Sequence, residues 1–206
     1  MTHAGRSPPL PKARLEALTD GIFAVTMTLL VLDLRVPQPR ADQTLFESVA
    51  TITDKLDNYV ISFVVLAVFW IGHLRLFRRC GEPDVPFVVL NLAFLFCTTL
   101  VPPLTTLLGD NPNLPRAAVL YGGNLLLILA SEAWLCRRVC LRLANETLAD
   151  PPATWRGVRG RYVLAMGIVV LGVAAALAEI AVRSSADIAP WVFLLLIAAG
   201  LARPPV

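Results

Sequence analysis

The sequence predicts an all-α integral membrane protein, and three observations carry that reading. First, 56% of the 206 residues are hydrophobic and only 16% are charged, with a mean hydropathy of +0.67; soluble domains carry about 25% charge. Second, the apolar residues gather in several long uncharged runs. Third, Lys and Arg fall unevenly between alternate loops. The expected organisation is a polar, Pro-rich and disordered lead-in over residues 1–13, followed by one six-helix membrane domain over 14–206. Such a plan uses the whole chain and leaves no length for a separate soluble enzyme. The net charge of +3 is small, and no basic patch is interleaved with aromatics, which argues against nucleic acid as a partner.

The first element is Arg14–Pro37, RLEALTDGIFAVTMTLLVLDLRVP, with an uncharged middle fenced by Asp20 and Asp33. Its opening resembles the charged and apolar regions of a signal peptide, but Glu16 and Asp20 interrupt the pattern and DLRVPQP offers no small-x-small cleavage site, so retention is expected. The second run, Asn58–Leu74, contains VISFVVLAVFWIGHL and ends on Trp70 and His73. The third, Val85–Gly109, carries Asn91 early and is broken by Pro102-Pro103. The fourth, Ala117–Cys140, holds Gly122-Gly123 and Glu132, which is expected in an internal ion pair beside Arg137 and Arg138; Tyr162–Val182 and Ile188–Ala202 complete six. Between the first two runs, Leu45, Phe46, Val49, Ile52 and Leu56 recur at near-helical spacing opposite Asp42, Glu47, Asp54 and Asp57. That pattern predicts an amphipathic helix on the membrane surface or an extension of the second span. Asn145–Arg161, with Pro151-Pro152 and three arginines, reads as a connector against anionic lipid head groups.

With the N-terminus inside, thirteen of the 18 Lys and Arg are cytoplasmic and five external. The bias holds loop by loop, so both termini are expected on the cytoplasmic side of the cell membrane. Cys136 and Cys140 share a helix face at i,i+4, the spacing of a metal pair, but small apolar residues beside an arginine cluster are the more economical reading.

At about 100° per residue, Val25, Leu29 and Leu32 occupy one narrow sector of the first helix, with Thr28 on its edge. Charged and polar groups near a span's end usually face protein or water. Arg14 and Asp20 point roughly 120° apart and each needs a partner on another helix. Arg14, Asp20, Trp70, His73 and Asn91 fall at one depth on three helices, which allows a shared hydrogen-bonded layer. Asp33 at the far end is either a ring of charge at a pore mouth or a helix terminus facing water.

Arg14-x-x-x-Leu18-Thr19-Asp20 resembles the RxxxFSD signature of the endosomal and lysosomal potassium channel family and its bacterial six-helix homologues. Leu18 and Thr19 replace Phe and Ser, keeping an apolar residue and a hydroxyl. The continuation GIFAVTMTLLVLDLRVP, the W-x-x-H ending at Trp70 and His73, and the Asn91 and Pro102 of the third span extend the resemblance through three helices. It implies a homotetramer whose first helices surround a central pore without a P-loop. Val25, Leu29 and Leu32 would then form the hydrophobic constriction and Thr28 a hydroxyl layer, passing K+ with no resident cofactor. The signature residues Arg14, Thr19, Asp20, Trp70, His73 and Asn91 would form the structural network behind it. A proton- or cation-coupled transporter using Asp20, His73 and Glu132 is the alternative, though no inverted repeat supports it. A membrane enzyme would need a motif such as HExxH or GxSxG, and neither occurs.

Overall fold

Apolar runs of this length bury their backbone polar groups most cheaply as helices, and helices are what form. The computed structural model describes residues 11–34, 45–111, 114–147 and 151–182. Among these residues six α-helices follow in order: α1 (Lys12–Leu29), α2 (Leu45–Arg79), α3 (Val85–Thr99), α4 (Val101–Asp110), α5 (Pro115–Thr147) and α6 (Pro151–Val182). A 3-10 turn, Leu30–Asp33, extends α1. Among the described residues, four stretches are long and apolar enough to cross a membrane: Lys12–Leu32, Leu56–Arg79, Val85–Asp110 and Pro115–Leu143. The expected sixth span, Ile188–Ala202, and the lead-in up to residue 10 lie outside the described residues.

One open alternative closes and one boundary moves. The amphipathic stretch from Leu45 is continuous with the second span in α2, so of the two arrangements it takes the extension. The connector expected over Asn145–Arg161 is helical in its described residues, since α5 runs to Thr147 and α6 starts at Pro151. Proline costs nothing in a first helical turn, because the N–H it lacks would have no intrahelical partner there.

The third run breaks at Leu100. Pro102 and Pro103 have no N–H to give the carbonyls of Thr98 and Thr99, so the chain restarts as α4. The Asn124 side chain of α5 donates to the Cys97 carbonyl beside the break at 3.0 Å. On the α4 side, the Thr105 hydroxyl donates to Ser62 at 2.8 Å, and Ser62 is bonded to buried Tyr121 at 3.1 Å, tying α2, α4 and α5 together.

The core runs through the middle of the bundle, built on Phe23, Leu66, Phe87, Phe94, Leu125 and Ile128. α5 and α6 make the most extensive helix pair, while α1 packs on α2 and α3. At the α2–α3 turn, outside the spans, Asp84 caps α3 by accepting from Phe87 N at 3.1 Å and accepts from Arg138 at 2.9 Å and from Arg142. Partial burial raises its carboxyl pKa, but the Phe87 N–H and the two guanidiniums outweigh that and hold it below the usual carboxylate value. Lys12 of α1 donates to the Cys80 carbonyl at 2.8 Å in the same turn.

Candidate functional site

Each candidate side chain owes its place to helix rotation. On α1, the buried residues Leu15, Thr19, Phe23 and Thr26 form one stripe at steps of four and three, which turns that face toward α2 and α3. The remaining surface is open. Val25 is 57% exposed, Leu29 45% and Leu32 60%, although all three are apolar. Thr26 and Thr28, two positions apart, part company: Thr26 is buried and Thr28 lies on the open side.

The Thr28 hydroxyl donates back to the carbonyls of Ala24 (3.0 Å) and Val25 (2.8 Å) of its own helix. Its single proton is thereby engaged, and its oxygen presents lone pairs outward. The 3-10 turn adds something rotation at 3.6 residues per turn does not anticipate. Residues three apart eclipse in that geometry, so Leu32 stands over Leu29 rather than drifting past it. Asp33 closes the turn, and its side chain lies outside the described residues.

The signature residues come together as two neighbouring sets. In the first, Trp70 Nε1 of α2 donates to Asp20 Oδ1 of α1 at 2.9 Å on the exposed side. In the second, His73 Nε2 bonds Asn91 Oδ1 of α3 at 2.8 Å, and Asn91 Nδ2 donates to Thr19 Oγ1 of α1 at 3.2 Å. His73 and Asn91 are 1% and 0% exposed, so these bonds join α1, α2 and α3 inside the protein. Arg14 is exposed and takes no part in either set.

Aromatic rings that the sequence reading missed hold the histidine. Phe94 stacks on His73 with centroids 4.5 Å apart and planes 4° from parallel, and Phe77 lies 4.9 Å away on the histidine's own helix. Phe94 follows Asn91 by three residues and therefore shares its face, a signal that was available. Glu132 is buried, and the charge it faces is Arg161 of α6, not its own helix neighbours: Arg137 is exposed and Arg138 is drawn to Asp84. Among the described residues no group of three or more His, Cys, Asp or Glu is placed to hold a metal ion.

Fold and site together define a polytopic α-helical membrane protein whose first helix is bonded to its neighbours on one side and presents an uncovered apolar face on the other. The sequence pattern described as endosomal/lysosomal potassium channel TMEM175 matches residues 14–102, the segment that carries this arrangement. Over that segment the chain is similar to the TMEM175 family. A crystal structure of a lysosomal potassium-selective channel TMEM175 homolog from Chamaesiphon minutus superposes with a TM-score of 0.73 at 26% identity, covering 93% of this chain and 97% of that one. A potassium channel of Streptomyces collinus is 28% identical over 156 residues, 73% of this chain and 75% of the relative. A potassium channel of Chamaesiphon minutus is 35% identical over 120 residues, 56% of this chain and 59% of the relative.

Proposed function

We propose that the chain is one subunit of a potassium-selective channel, in which four six-span copies set their α1 helices around a central axis and let K+ pass down its gradient. The observation that carries this reading is the exposed Val25–Leu29–Leu32 face on a helix whose opposite face is locked into its own subunit. One such face cannot enclose a path, so assembly with further copies is part of the proposal. The channel names of the relatives support it. Both termini lie in the cytoplasm, the host bilayer is the cell membrane, and the permeant K+ needs no resident cofactor.

A ring of branched side chains closes a pore by dewetting. The Thr28 oxygens beside it replace part of the hydration that an ion loses there. The bonded layer of Thr19, Asp20, Trp70, His73 and Asn91 fixes the rotation of α1, so that the apolar face stays turned to the axis. A carrier built on Asp20, His73 and Glu132 has less support: the three are engaged separately, by Trp70, Asn91 and Arg161.

The test is reconstitution in planar bilayers with K+ on one side and Na+ on the other. The expected wild-type current reverses toward the K+ equilibrium potential, and Leu29→Ala and Val25→Asn shift that reversal toward zero. Folded protein that stays silent across lipids and voltages contradicts the proposal.

A further inference from the structure

Glu132 takes no part in the layer described above, yet it is a carboxylate in the middle of an apolar bundle, 4% exposed. A charged side chain at that depth is costly and persists where something holds it. Two features on neighbouring helices do so. On α2, Gly72 leaves a gap that the carboxylate fills: a Cβ at position 72 would stand 2.6 Å from Glu132 Oε1 and 3.6 Å from its carboxyl carbon. A Cβ there cannot coexist with Oε1 at that distance, so any side chain at position 72 would displace the carboxyl end of Glu132 from its seat. On α6, Arg161 supplies the opposite charge. Glycine inside a helix is less favourable than alanine, and here the space it provides for the carboxyl group offsets that. Gly72 lies between Trp70 and His73, the two α2 residues that bond to α1 and α3.

We infer that Glu132 is a positioning residue for the first helix: its carboxylate, drawn by Arg161 and seated in the Gly72 gap, sets the rotation of the Trp70–His73 segment. Through that segment α5 and α6 control where α1 presents its apolar face. The inference rests on the proposal that α1 lines the pore, but its geometry is independent of conduction and can be read separately.

Three variants test it with two readouts. Gly72→Ala puts a methyl group where Oε1 sits, Gly72→Ala/Glu132→Ser clears the carboxylate away from that methyl, and Glu132→Gln keeps the shape while removing the charge. The first readout is emission from Trp70 in protein whose Trp134, Trp155 and Trp191 are replaced by Phe, which reports the Trp70–Asp20 bond. The second is K+ current per folded protein in bilayers.

Gly72→Ala and Glu132→Gln are expected to shift Trp70 emission and change the current by between about two- and thirtyfold, and the double variant to return both toward wild type. A merely structural glutamate would lower melting temperature and leave emission and current per folded protein unmoved. That result, or a double variant no closer to wild type than Gly72→Ala, overturns the inference. Should Gly72→Ala fail to fold, Glu132→Gln decides by the same two readouts. A silent wild type would remove the channel reading, and Trp70 emission alone would then decide the role of Glu132.

Discussion

His73 shows how far one buried side chain constrains its surroundings. Asn91 has one amide oxygen and one amide nitrogen, and the nitrogen is committed to Thr19. Its oxygen therefore accepts, and His73 must carry its proton on Nε2. The other ring nitrogen, Nδ1, is buried without a partner among the described residues, and the ring is held by stacking on Phe94 instead. Asn91→Leu keeps the volume but leaves the His73 N–H and the Thr19 hydroxyl unmatched in the interior. Such a loss costs about 1–3 kcal/mol. The expected outcome is a lower melting temperature in detergent with helix content retained, followed by circular dichroism.

Between elements, the turn joining α2 to α3 is a second fastening point. Asp84 caps α3 and bonds Arg138 and Arg142 of α5, so one carboxylate joins two helices. Its folded-state pKa is depressed, so the unfolded chain binds its proton more readily. The contribution is full at neutral pH, begins to fall near the ordinary value of 3.8, and is lost as pH drops through the lower folded-state value. Melts recorded from neutral to acid pH should converge for wild type and Asp84→Asn, with wild type the more stable only at the upper end. Curves that stay parallel would assign the acid sensitivity to another group.

The same scale shows what could be read without coordinates. Apolar runs and charge bias give the helices, and rotation alone groups Val25, Leu29 and Leu32. Trp70, His73 and Asn91 can be placed at one depth by counting residues from the span ends. What counting misses is contact across helices. Arg14 lies roughly 120° around α1 from Asp20 and stays outside the layer. Arg161 sits in a stretch whose prolines suggested a connector, yet those prolines occupy the first turn of α6. The eclipsing of Leu29 and Leu32 needs 3-10 geometry, which a 3.6-residue period does not contain.

For the whole molecule, the channel proposal requires the exposed apolar face of α1 to be covered by further copies. Native mass spectrometry of the detergent-solubilised protein should give a complex of four 22.4 kDa chains. Weakening the α1 face with Val25→Asn and Leu32→Asn together should shift that distribution toward smaller species. Persistent monomers in the wild type would leave the face to lipid rather than to a pore.

The most direct measurement is thiol modification during conduction, in protein whose Cys80, Cys97, Cys136 and Cys140 are replaced by Ser or Ala. A cationic thiol reagent applied to Leu29→Cys should stop the K+ current irreversibly. The same reagent on Leu92→Cys, equally exposed on α3 at 45%, should leave it unchanged. A Leu29→Cys channel that is fully modified, by mass, and conducts as before would contradict the claim that this face encloses the ion path.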